Sequence, residues 1–167
     1  MKLYKALHPF VEDPRFMAEM FYDDGSKDVQ FNGGSHAFCF VDDDHIVLTH
    51  HAKDGHYGIV GGGREQAETI EQTLVREVRE EINGQMLKYG KVFAIHSLRT
   101  DDPNYDTWSF QSWANVKLFG EDQKIVDPDG DVFARVIVPI SEVPKLLGWS
   151  DLGDRLEIVL AARAAAR

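Results

Sequence analysis

Residues 76–81 read Arg-Glu-Val-Arg-Glu-Glu, and the run stops at Ile82-Asn83-Gly84. On a helix of about 100° per residue, Glu77, Glu80 and Glu81 fall within an arc of about 100°, beside a stripe of Ile70, Leu74, Val78 and Ile82. Arg79 points away from them, and Arg76 precedes Glu80 by one turn. Like charges three and four residues apart cost a few tenths of a kcal/mol per pair. Next to a core stripe, where solvent screens less, the cost rises. A solvated face accounts poorly for that arrangement. A divalent cation reverses the sign. Mg2+ and Mn2+ prefer hard oxygen ligands and retain waters, so two or three carboxylates plus substrate phosphates complete their shell.

The elements that must position these side chains follow from pattern and turn chemistry. Thr69 with Gln72 three residues on is a capping box, which starts a helix. Asn83-Gly84 supplies the left-handed residues that end one. Residues 35–41 and 45–50 read as two strands around Asp42-Asp43-Asp44. Tyr57 to Val60 reads as a short strand broken by Gly61-Gly62-Gly63, whose lack of side chains lets backbone approach a ligand. Residues 91–99 and 107–119 read as extended, with a loop at 101–104. A turn at 127–130 precedes an apolar strand at 132–138. A short helical piece starts at Ser141, and a closing helix spans 151–166. Strands, one well-marked helix, more strands and terminal helices imply a mixed sheet with helices on more than one side.

Composition bounds the partners. The chain has 167 residues, 43% of them hydrophobic, enough for one domain over 1–167. The formal net charge of −10 argues against a nucleic-acid polymer as partner. The lone cysteine, Cys39, suits a reducing compartment. No run reaches the roughly 18 apolar residues of a membrane helix, and the first ten residues lack the apolar core of a signal peptide. A cytoplasmic protein without a membrane partner is the expectation.

From Gly62 the chain reads Gly, five residues, Glu68, seven residues, then Arg76-Glu77-Val78-Arg79-Glu80-Glu81. This resembles the box of the Nudix hydrolases, G-x5-E-x7-R-E-U-x-E-E-x-G-U with U aliphatic. Every charged position matches. Asn83 stands where the family has glycine, Gly84 where it has an aliphatic residue, and Gln66-Ala67 where Pro-Gly is frequent. Asn also tolerates a left-handed backbone. The resemblance extends loosely over residues 35–150.

The resemblance implies an α/β/α sandwich around a mixed β-sheet. It implies hydrolysis of the pyrophosphate in a nucleoside diphosphate linked to another moiety, with Mg2+ or Mn2+ as cofactor. Carried over, Glu77, Glu80 and Glu81 are metal ligands, with the Gly62 carbonyl as another. Arg76 orients the glutamates, and Glu68 binds a further metal or supports the loop. The general base is a box glutamate such as Glu80 or a loop carboxylate, for which Glu121, Asp101 and Asp102 are candidates. Tyr57 and Trp108 are candidates to stack on a base. The substrate class spans ADP-ribose, other nucleotide sugars and (d)NTPs. The resemblance also allows a homodimer. The alternative reading is a nucleotide-binding or regulatory module of the same fold without catalysis.

Two other constellations are weak. Adjacent His50 and His51 on a strand point to opposite faces, which disfavours a shared zinc ion. Asp127, Asp129 and Asp131 begin like a calcium loop, but Val132 and Val138 stand where glycine and glutamate are required.

Overall fold

A computed structural model describes residues 2–7, 15–23, 30–121, 124–126, 128, 130–148 and 156–167. The strands are β1 (Lys2–Leu7), β2 (Phe16–Tyr22), β3 (Gly34–Phe40), β4 (His45–His51), β5 (Tyr57–Gly58), β6 (Val60–Gly63), β7 (Gly84–Arg99), β8 (Asp106–Leu118), β9 (Lys124–Val126) and β10 (Val132–Pro139). The helices are α1 (Ile70–Ile82), α2 (Val143–Leu146) and α3 (Leu156–Ala165), with a 3-10 turn at Ile140–Glu142. Sheet order is β1-β2-β7-β8-β3-β4-β10-β9, with β6 paired to β3 and β5 to β4. The β3–β8 pair is parallel, and the other described pairs are antiparallel.

Alternation along the strands divides the core between the two faces. On one, Leu74, Val78 and Ile82 of α1 pack on Ala37, Cys39, Val47, Val60, Ala114 and Val116. On the other, Ile158, Val159 and Ala162 of α3 pack on Phe38, Phe40, Ile46, Leu48, Phe93 and Trp113. This is the expected mixed sheet between helices. Burial pushes the Cys39 thiol up, which suits a core thiol rather than a reactive one.

The structure departs from the sequence expectations in three places. The glycine run 61–63 does not break a strand. It is most of β6, paired through Gly34↔Gly63, Ser35↔Gly62 and His36↔Gly61. β7 begins at Gly84 rather than residue 91, because the whole segment pairs with β8. Its glycine at 90 is required by packing, since a Cβ there would meet the Trp113 indole nitrogen at 2.7 Å. β1, β2 and β9 were not anticipated. Of the closing helix, the structure describes Leu156 onward, and Asp127 and Asp129 of the predicted turn lie outside the described residues. Among the described residues, no helix is long and apolar enough to cross a membrane.

Candidate metal-binding and active site

Local chemistry fixes α1 at both ends. The Thr69 backbone N–H donates to Gln72 Oε1 at 2.8 Å, and the Gln72 N–H donates to Thr69 Oγ1 at 3.2 Å. Asn83 takes the left-handed conformation, φ 45°, and closes the helix through an N–H to the Val78 carbonyl. Arg135 of β10 then clamps that end. Its guanidinium donates to the carbonyls of Ile82 at 2.9 Å, Phe119 at 2.8 Å and Gly120 at 2.6 Å.

The glutamates flank the buried stripe as the helical arc requires. Glu77 and Glu81 are each only 8% exposed, and Glu80 is half-buried. Arg76 is the centre of the cluster. Nε and Nη2 form a fork on Glu68 at 3.0 and 3.1 Å. Nη1 donates to Glu77 Oε1 at 2.8 Å and Glu80 Oε2 at 3.2 Å, and Nη2 reaches the Gly63 carbonyl at 2.9 Å. Glu81 Oε2 accepts from the Gly61 N–H at 2.9 Å. Gly62 lies against the Glu77 carboxylate so closely that a Cβ there would overlap it. A side chain at 62 would therefore displace the Glu77 carboxylate from its present position.

Electrostatics separate two of the acids. The Arg76 fork holds the Glu68 carboxyl at about 2, with further hydrogen bonds from the Glu65 N–H and the Thr73 hydroxyl. Burial pushes Glu77 up. Arg76 opposes that, while Glu80 and Glu68 add to it. The same carboxylates push Arg76 higher still, so it stays charged. One guanidinium thus serves three carboxylates, in a half-buried position where charge is poorly screened.

Glu77, Glu80, Glu81 and the Gly62 carbonyl offer the hard oxygen donors that could hold a divalent metal. Among the described residues, no three acidic, histidine or cysteine side chains are grouped so as to hold a metal ion by themselves. Glu68 is committed to Arg76, Thr73 and the 65–68 loop, so its position is that of a loop support. Ala67 in that loop has a left-handed backbone, φ 65°, where the family frequently has glycine.

The remaining candidates separate in space. Asp101 accepts from Arg99 at 2.9 and 3.0 Å and pairs with Arg15 at 3.2 Å, at the tip of the β7–β8 hairpin. Asp102 accepts from the Asn104 N–H in the same tip. Glu121 follows Gly120, which Arg135 ties to the end of α1 at Ile82, directly after Glu80 and Glu81. Tyr57 packs on the α3-side core with its ring 4.7 Å from His50. Trp108 stacks on His96 at 4.4 Å and 8°. By strand alternation its side chain stands on the α1 side. The two aromatic residues thus occupy opposite faces and cannot sandwich one base. A groove of about 950 Å³ runs along the outer side of α1, between Arg76, Arg79 and Glu80 and the strand residues Ile125 and Val126.

Sequence reasoning missed Arg135 and Arg64. Arg64 links the box loop to the neighbouring chain, donating to the carbonyls of Glu68 and Phe31, both at 2.8 Å. A lone arginine inside the apolar run Val132–Val138 was the available signal for the first; Arg64 gave none.

The comparisons with known proteins agree with this geometry. Among solved structures, the chain is similar to a mutant of the pyrophosphohydrolase BsRppH of Bacillus subtilis. The TM-score is 0.60 at 17% identity, over 83% of this chain and 77% of that one. It is similar to a NUDIX hydrolase from Nitrosomonas europaea, with TM-score 0.57 at 21% identity over 82% and 90%. It is also similar to MutT of Aliivibrio salmonicida and Vibrio cholerae, with TM-score 0.52 at 19% identity over 77% and 94%. At such identities these likenesses establish the fold. Comparison with curated proteins gives no significant match. The NUDIX domain matches residues 34–156, from the start of β3 into α3 and across every charged residue of the box, and the chain therefore belongs to the Nudix family.

Proposed function

We propose that this protein is a pyrophosphohydrolase that cleaves the P–O–P linkage of a nucleoside diphosphate derivative, with Mg2+ or Mn2+ held by Glu77, Glu80, Glu81 and the Gly62 carbonyl. The substrate is a small molecule of the ADP-ribose, nucleotide-sugar or (d)NTP type, and the setting is the cytoplasm. The observation that carries the reading is the sharing of one guanidinium by three carboxylates beside a glycine strand, with two of the box glutamates buried. When bound, the ion neutralises the diphosphate and acidifies the attacking water.

The chain's own residues have distinct tasks in this proposal. Arg76 holds Glu77 and Glu80 at fixed angles. The Gly61 N–H fixes one oxygen of Glu81. Glu68 keeps the 64–68 loop against Arg76. Glu121 is the loop carboxylate best supported as general base, since Asp101 is engaged by two arginines at the hairpin tip. The groove beside Arg79 and Glu80 has a volume suited to one moiety of such a substrate.

The test is a panel assay with Mg2+: ADP-ribose, other nucleotide sugars, dinucleoside polyphosphates, NADH, coenzyme A and (d)NTPs, run in ¹⁸O water. Cleavage only at P–O–P linkages, with preference for one or two members and label on phosphorus, is expected. Rapid hydrolysis of a phosphomonoester contradicts the reading. Tight binding of a panel member without turnover favours the regulatory module instead.

A further inference from the structure

Two residues depart from the end of the box pattern, Asn83 and Gly84, and they stand together where α1 passes into β7. The backbone does not require asparagine at 83. Its φ of 45° is one that glycine adopts without strain. The side chain is used elsewhere. Asn83 Nδ2 donates to the Phe119 carbonyl at 3.1 Å, and the Phe119 N–H donates back to the Asn83 carbonyl at 3.0 Å. At Gly84 a Cβ would press on Val78 Cγ1 at 3.2 Å, and its absence lets β7 start opposite Leu118, the residue before Phe119.

A second anchor meets the first on the same carbonyl. Arg135 Nη1 donates to the Phe119 carbonyl at 2.8 Å and to that of Ile82 at 2.9 Å, and Nη2 donates to that of Gly120 at 2.6 Å. Gly120 turns the chain with a left-handed φ of 66°, and Glu121 follows. The Glu121 carboxylate is exposed and has neither a hydrogen bond nor an ion pair among the described residues. Its direction is therefore set by its backbone, and that backbone is held through Asn83 and Arg135. Asn83 also lines the groove that contains Arg76 and Glu80. The turn thus stands at the end of α1 that borders both the groove and the last box glutamates. A base must lie within hydrogen-bond reach of the proton it takes, and a displacement of about 1 Å can cost up to about a hundredfold in rate.

We propose that Asn83 is a positioning residue: with Arg135 it locks the Phe119–Glu121 turn to the end of α1, and so aims the Glu121 carboxylate at the water that attacks phosphorus. The inference rests on the reading of the glutamates as a hydrolytic site with Glu121 as its base.

The test variant is Asn83→Gly, which restores the residue of the box pattern, keeps the left-handed backbone and removes the amide. Amide hydrogen exchange is followed without substrate. The Phe119–Glu121 amides should exchange at least about tenfold faster, while those of Leu74 and Val78 in α1 stay unchanged. The thermal midpoint should move little, since relief of a left-handed asparagine offsets the lost hydrogen bond. Turnover is then measured with Mg2+ on ADP-ribose and on the nucleotide sugars and (d)NTPs of the panel, for the wild type, Asn83→Gly, Glu121→Gln and the double variant. Asn83→Gly should lower kcat about tenfold with KM within about twofold, and Glu121→Gln should lower it about a hundredfold. In the Glu121→Gln background, Asn83→Gly should change kcat by less than about twofold, because it acts through the carboxylate already removed. Asn83→Asp, which keeps the size and loses the donor, gives the same comparison if the glycine variant does not fold. Equal losses in both backgrounds overturn the proposal, as does unchanged exchange at Phe119–Glu121. Full turnover by Glu121→Gln overturns the aim and leaves the hydrolase standing. A wild type that hydrolyses no diphosphate overturns the hydrolytic reading, and the positioning role falls with it.

Discussion

Arg76 determines which of its acids is stable as a carboxylate and which is strained. Glu68 receives the fork, and its folded value of about 2 lies below the usual glutamate value near 4.3. A depressed carboxyl stabilises the fold above the unfolded value, and that contribution disappears as pH falls toward the folded one. Glu68→Gln should therefore be less stable than wild type near neutral pH, and the gap should close between about pH 4.3 and 2. Urea denaturation at stepped pH reads this directly, and a gap that is constant through the window counts against the fork. Glu77 runs the other way. Burial pushes it up, so its charge costs stability at neutral pH and the cost fades in acid. A neighbouring cation relieves a charge of that kind. The charged residues of this cluster were legible in the sequence, because residue spacing on a helix fixes which side chains share a face. The division of labour among them was not, since it depends on which carboxylate the Arg76 guanidinium faces.

At the scale of elements, α1 was readable from end to end. Its cap, its stripe and its left-handed Asn83 are local, and local chemistry decides them. β1 and β2 were not. β2 is a strand because it pairs with β7, from Phe16↔Arg99 to Tyr22↔Phe93, a contact between distant parts of the chain. β6 was obscured by glycine, which disfavours strands but here makes room for Glu77. Arg135 is a charged residue inside an apolar strand, and that contrast is the signal to read in such sequences. Arg135 secures carbonyls from the end of α1 and from the loop leading to Glu121. Arg135→Met should cost about 2–3 kcal/mol by leaving those acceptors without their donor. For a chain this long that is a fall in Tm of roughly 5–10 °C in a thermal melt. A change within a degree would show that the clamp is dispensable. Ala67 is a smaller case. Its left-handed backbone is strained for any residue with a Cβ, so Ala67→Gly should gain about 0.5–1 kcal/mol despite glycine's extra freedom when unfolded. The same melts read it, and a lower Tm would refute the strain.

For the molecule as a whole, α1 and α3 cover opposite faces of one mixed sheet, and the box strand pairs with β3 beside the carboxylates of the α1 face. The family gives the fold and the box. The central claim is that the glutamate cluster is a metal-dependent hydrolytic site, and a Mg2+ titration of turnover tests it most directly. The wild type and Glu80→Gln are compared on the preferred diphosphate, with excess EDTA as the zero-metal point. Activity should vanish in EDTA and return with Mg2+, and Glu80→Gln should lose at least about a hundredfold in kcat at saturating metal, as expected for removing one strong electrostatic stabiliser. Undiminished hydrolysis in EDTA, or near-normal turnover by Glu80→Gln, would contradict the account.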